Sequence, residues 1–233
     1  ISGPRGYYRD THNKQFANDT NINVQFKTGV VDHALVAGVG FSREDYAITT
    51  AGYLYNSNGS SAGSSITNPL YMDVYNPDNF WHGPTNFRKT GVAEGYLNVY
   101  SAYLFDTLKF GEQWLLNLGV RNDYTDGQYR SDTISTTNAT VTRGQNYKQS
   151  DNLISYNAGL TFKPTPATSL YLSYANAQKP VQNTASGGCS QTITNNAITA
   201  NSCNTDPENA VAYEVGAKWQ ANPNFLVSAA VFR

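Results

Sequence analysis

The fold class this sequence predicts is all-β: one antiparallel up-and-down sheet forming a segment of a transmembrane β-barrel, with about eight strands in view. Three observations predict it. The 233 residues carry only 14% charged side chains, with 17 Tyr and 19 Gly against a single Met, a balance that favours strand and turn residues over good helix formers. Apolar residues recur at every second position over runs longer than the roughly five or six residues of soluble strands. The connections between these runs alternate between tight turns and long Ser/Thr/Asn/Gly-rich stretches.

Taken in order, Ile22, Val24 and Phe26 alternate with Asn21, Asn23, Gln25 and Lys27, and Leu35, Ala37, Val39 and Phe41 alternate with small or polar residues up to Glu44. Residues 29–33 are a short connection between these two strands. The third strand covers about 94–108, where Tyr and Leu fall on both sides and the facing stays ambiguous. In the fourth, Trp114, Leu116, Leu118 and Val120 oppose Asn117, Gly119, Arg121 and Asp123. In the fifth, Ile154, Tyr156, Ala158, Leu160 and Phe162 oppose Ser155, Asn157, Gly159, Thr161 and Lys163. Strands follow at 168–178, at 211–220 with Val211, Tyr213, Val215, Ala217 and Trp219 on one side, and at 225–233. This alternation places Trp114, Leu116, Ile154, Leu160, Val211 and Val215 on a convex, lipid-facing side.

Residues 109–113, 164–167 and 221–224 read as tight turns, and 48–93, 128–149 and 179–209 as long loops without periodicity. Short turns on one rim and long loops on the other are the pattern of bacterial outer-membrane barrels. A soluble β-sandwich also alternates apolar and polar residues, but strands of this length match tilted spans across a bilayer, and Trp114, Tyr124, Phe162, Tyr174 and Trp219 gather near strand ends as interfacial girdles do. A net charge of −1 offers no positive field for nucleic acid. No stretch approaches the roughly 20 apolar residues of a membrane helix. No signal peptide is visible at the N-terminus, and Val231-Phe232-Arg233 stops within a strand, so the expectation is a fragment.

Three stretches carry a family resemblance. The first is Cys203-Asn204-Thr205-Asp206-Pro207-Glu208 followed by Tyr213-Glu214-Val215-Gly216-Ala217-Lys218-Trp219, a short turn, and Phe225 to Phe232. The second runs from Ala102-Tyr103-Leu104-Phe105-Asp106 through Phe110 to Leu118-Gly119-Val120-Arg121-Asn122-Asp123-Tyr124, and the third is Ser169-Leu170-Tyr171-Leu172-Ser173-Tyr174. Over most of residues 16–233 the chain resembles the barrel of TonB-dependent outer-membrane siderophore receptors of the catecholate type. The resemblance implies a barrel of about 22 strands filled by an N-terminal plug, a location in the bacterial outer membrane among its lipids, and loops that capture a ferric siderophore. It also implies energy supplied by a periplasmic TonB complex. Iron would be carried as substrate, with no cofactor of the protein's own. Residues 1–233 would then be a partial receptor barrel domain, lacking the plug and the TonB-contacting region.

A passive porin or small structural outer-membrane barrel is the second reading, since eight strands would complete such a barrel. A barrel enzyme is the third, but Gly-x-Ser-x-Gly, His-Glu-x-x-His and a phosphate-cradling glycine loop are all missing. The chain therefore reads as no enzyme.

Several residues stand as site candidates. Residues 71–82 pack aromatic rings into a long loop on the presumed outer rim, so Tyr71, Tyr75, Phe80 and Trp81 are candidates for stacking on a flat ligand, with Arg88 or Lys89 for an anionic one. The same rings are equally suited to pinning the loop to the rim. Cys189 and Cys203, with 13 residues between them, read as a disulfide in an exported chain, one that contributes roughly 3 kcal/mol. A metal site would need further ligands, and no His lies in that loop. Arg121, Glu214 and Lys218 read as lumen-facing charges, Glu214 and Lys218 being four apart on one face as a wall-stiffening ion pair or as part of the transport path. Asp19-x-Asn21-x-Asn23 starts like a calcium loop but lacks its Gly and terminal Glu. His12, His33 and His82 are scattered.

Overall fold

The computed structural model describes residues 6–62, 75–76, 81–182, 185–187, 191–194, 197–202 and 205–233. Its strands are β1 (Tyr7–Thr28), β2 (Val31–Gly52), β3 (Arg88–Phe110), β4 (Trp114–Ile134), β5 (Val141–Thr142), β6 (Asn146–Thr165), β7 (Thr168–Lys179), β8 (Gln191–Thr194), β9 (Ala197–Asn201), β10 (Glu208–Asn222) and β11 (Phe225–Phe232). One nine-stranded sheet runs β1-β2-β3-β4-β6-β7-β10-β11 with β5 appended to β4, and β8 and β9 form a separate pair. Neighbours are antiparallel throughout and follow sequence order. The expected eight strands are the eight along this path.

Their ends differ from expectation. β1 starts at Tyr7, β2 continues to Gly52, and β3 begins at Arg88, so strand replaces both ends of the loop expected at 48–93. Likewise β4 runs to Ile134 and β6 starts at Asn146, within the expected 128–149 loop, while the 179–209 connection contains the β8–β9 hairpin. The cause is physical: beyond the hydrocarbon a strand keeps its hydrogen-bonded ladder but has no need of an apolar face, so the period-two signal fades while the strand goes on. The turns are tighter than expected. Only Gly29 and Val30 separate β1 from β2, with Gly29 at φ 63°, a backbone region that glycine adopts without strain.

The registers sort the residues into two faces. Leu116 pairs Leu160, Leu160 pairs Leu172, and Leu172 pairs Val215, so Trp114, Leu116, Ile154, Leu160, Val211 and Val215 share one face, as expected. They are solvent-facing, Ile154 at 49% and Val215 at 55% exposure, which a sandwich core would forbid. Along β4 this outward apolar belt extends from Trp114 to Tyr124. That length, at roughly 3.3 Å per residue and a tilt of roughly 40°, rises about 25 Å, the height of an outer-membrane apolar band. Aromatic contacts mark both borders. Phe16, Phe41, Tyr100 and Tyr124 form a row with centroids 6.2, 5.0 and 6.3 Å apart, and Trp114 stacks on Phe162 at 4.4 Å nearer the tight turns. Past the first row the outward face turns ionic, with Arg43 paired to Asp45 at 2.7 Å and Arg130 to Glu94 at 2.6 Å.

The principal buried cluster lies on the opposite, inward face. Leu97, Thr125, Asp151 and Leu153 are buried there beneath the segment that leaves β7, whose Gln182 is 2% exposed.

Candidate functional site

Tyr103 and Phe105 resolve the ambiguous third strand: both point inward, and each lies over a glycine directly paired with it. Tyr103 pairs Gly38 and Phe105 pairs Gly119, and a Cβ on either glycine would overlap the ring above it. Tyr171 covers its partner Gly216 in the same way. An aromatic ring over a bare glycine recovers packing that the missing side chain forfeits.

These rings organise the inward charges. Tyr103 spans β2 to donate its hydroxyl to Asp19 Oδ1 on β1 at 2.7 Å. The Arg121 guanidinium lies 5.6 Å from the Tyr103 ring centroid and donates to Asp123 Oδ2 and to Ser101 Oγ, both at 2.8 Å. Asp19, the start of the discounted calcium pattern, is thus part of an inner-wall network. Glu214 and Lys218 also face inward but are joined through Tyr171 instead of to each other. The Tyr171 hydroxyl donates to Glu214, and Lys218 Nζ sits 5.5 Å from the ring centroid. Among the described residues no direct Glu214–Lys218 ion pair forms, because the ring between them takes up both charges.

Higher on the inward face, the segment after β7 is fixed against the wall. Val181 N–H donates to Asp151 Oδ2 at 3.1 Å, and Gln182 Nε2 donates to the Tyr96 carbonyl at 3.3 Å. Gly95 and Gly127 leave the room it needs, since a Cβ there would strike the Ala185 carbonyl or the Gln182 amide.

At the outer rim, Tyr75 is 96% exposed. Trp81 is half-buried, with its indole N–H donating to the Pro84 carbonyl at 3.3 Å and its ring against Gly83. Arg88 donates to the Ser57 carbonyl at 2.5 Å, which ties the start of β3 to the loop after β2. Beside it Tyr8, Tyr53 and Phe87 form a mutual cluster with centroids 5.2 to 6.5 Å apart. Tyr71, Phe80, Cys189 and Cys203 lie outside the described residues. Of the three histidines, His33 faces outward near the tight turns, stacked on Phe26 and bonded to Asp106 at 2.7 Å. Two apolar depressions of about 540 Å³ each also lie on the outward face, lined by belt residues such as Leu160, Leu172 and Val215, or Ile22, Val39 and Leu104. Their lining suits acyl chains, not a polar ligand. Among the described residues no group of three or more His, Cys, Asp or Glu is arranged to hold a metal.

The family model for the TonB dependent receptor-like β-barrel matches residues 1–233. This chain belongs to that family. As a receptor barrel it is a protein of the bacterial outer membrane, and its relatives are receptors, not enzymes. It is 30% identical to the catecholate siderophore receptor Fiu of Escherichia coli O6:H1 over 97% of this chain and 29% of the relative. It is 32% identical to the probable TonB-dependent receptor BfrD of Bordetella pertussis over 95% of this chain and 29% of the relative. The crystal structure of the siderophore receptor PiuA from Acinetobacter baumannii superimposes with a TM-score of 0.71 at 26% identity, covering 96% of this chain and 32% of that one. The receptor barrel described here therefore spans about a third of the length of the proteins it matches.

The inward aromatic–glycine pairs were not visible along the sequence, because a ring and its glycine sit on different strands and meet only once the register is known. The alternation did identify Arg121, Glu214 and Lys218 as inward, but not Tyr103, Tyr171 or Ser101 as their partners.

Proposed function

We propose that this chain is part of the barrel wall of a TonB-energised importer of ferric siderophores, catecholate complexes foremost, within a longer protein whose further strands close the barrel and whose N-terminal plug fills it. One observation carries the reading: relatives aligned over nearly the whole chain are siderophore receptors by name. In this reading the outer rim captures the iron complex, with Tyr71, Tyr75, Phe80 and Trp81 offering ring faces and Arg88 a positive charge for an anionic complex. Arg121, Glu214 and Lys218 hold the inward rings in place and keep the wall polar where the plug and water meet it. No covalent bond is made or broken. Iron passes through as cargo, and the TonB contact belongs to the plug region.

The test uses the intact receptor, titrated with ferric catecholate siderophore in wild-type form and as the Phe80→Ala, Trp81→Ala double variant with surface expression confirmed. Loss of two stacking rings should weaken binding about five- to a hundred-fold. Unchanged affinity would leave these rings as rim anchors only. Uptake of labelled iron should vanish in cells lacking TonB, and uptake that persists there would favour the passive porin instead.

A further inference from the structure

Two rows of inward residues cross the upper wall side by side. One runs Asn13, Tyr46, Gly95, Tyr129 and the other Gln15, Glu44, Leu97, Gly127, each residue directly paired with the next. The segment after β7 fills the β3–β4 half of both rows, where Gly95 and Gly127 make room for it. It stops short of the β1–β2 half, and a polar cavity of about 370 Å³ remains between residues 13–15 and 44–46 on the wall and Ala185 and Ser186 on the segment, with Lys14 and Asp45 bordering it from positions whose side chains alternate to the outward face. The size suits part of a small-molecule ligand. The segment that forms its far wall is anchored just upstream, by the bonds of Val181 to Asp151 and of Gln182 to Tyr96, and the Ala185 carbonyl sits against Gly95.

Its chemistry is one-sided. Glu44 is half-buried beside Leu97, which is 5% exposed, and forms no ion pair among the described residues. The flanking cations turn away: Lys14 and Arg43 point outward, and Arg43 is committed to Asp45. The next inward cation on β1 is Arg9, roughly 13 Å along the strand from Asn13. A lone carboxylate among two amides and a phenol repels an anionic iron centre, but it suits a group that carries an ammonium and hydrogen-bonding neighbours, with the Tyr46 ring available to the cation.

We infer that this cavity is a subsite for the ammonium-bearing, amide- or hydroxyl-rich backbone of the ligand, selecting among complexes by the part that does not hold iron. The inference rests on the siderophore reading above and adds a selectivity to it. The probes are two synthetic ferric tris-catecholates that differ only in whether the backbone carries one ammonium group, titrated against the intact receptor. Wild type should bind the ammonium form about tenfold more tightly. Glu44→Gln, which keeps the shape of the side chain, should abolish that preference without weakening the probe that lacks the ammonium. Gln15→Lys, which introduces a competing ammonium, should do the same. Equal binding of both probes by wild type, or a preference that survives Glu44→Gln in a folded receptor, overturns the subsite and leaves the siderophore reading intact. Binding of neither probe overturns both.

Discussion

The hydroxyl of Tyr103 reaches Asp19, 84 residues earlier and two strands away, at 2.7 Å. It does so only because Gly38, on the strand between them, presents no side chain to block the ring. The inner wall is thus stabilised across strands that share no ladder hydrogen bonds.

Adding one methyl group at Gly38 should therefore cost more than the same change at a roomy position. Gly38→Ala forces the Tyr103 ring off its seat and should destabilise the intact barrel by about 1–3 kcal/mol. Gly159→Ala, where an added Cβ meets neighbours only at 3.9 Å, should stay within about 0.5 kcal/mol. Urea titration of the folded barrel in vesicles measures both, and equal midpoints would refute the close-packing account.

The height of the belt predicts where a charge is costly. Leu118 lies outward, midway between Trp114 and Tyr124, so Leu118→Arg should cost about 2–4 kcal/mol on equilibrium folding into phospholipid vesicles. Its neighbour Asn117 points inward and accepts from Thr107 at 2.8 Å, so Asn117→Arg should cost only about 1 kcal/mol for the lost hydrogen bond. A larger penalty at 117 than at 118 would invert the assignment of faces.

For the cysteines, we propose that Cys189 and Cys203 bond to each other. Gln191 is the ladder partner of Asn201, and Cys189 and Cys203 each stand two residues beyond these in sequence. Thiol labelling of the unreduced, natively exported receptor should find no reactive cysteine. Stoichiometric labelling would remove the proposed disulfide.

What the sequence made legible is what the bilayer demands. Residues such as Trp114 to Val120, Ile154 to Phe162 and Val211 to Trp219 alternate because hydrocarbon on one side and water on the other leave no other solution. The outer ends of the strands, such as Arg88 to Ala93 and Gln128 to Ile134, were illegible because outside the hydrocarbon either face tolerates charge. The third strand stayed ambiguous for a different reason: Tyr103 and Phe105 are large and aromatic yet inward, and the glycines that accept them lie on neighbouring strands. At the rim, Trp81 and Arg88 were legible as residues of interest, but their ties to Pro84 and Ser57 are matters of loop conformation that no periodicity encodes.

The anchoring of Gln182 on Tyr96 also sets an order of events. Tight turns join β1 to β2, β3 to β4, β6 to β7 and β10 to β11, so these four hairpins close over short range, and neighbouring hairpins then pair across the long connections. The Gln182–Tyr96 bond spans 86 residues of chain, a distance that becomes short only once β3, β4, β6 and β7 are paired side by side. The segment after β7 can therefore settle onto Gly95 and Gly127 only after the strands that carry and receive it have been brought together, which makes the lining of the wall depend on the sheet beneath it.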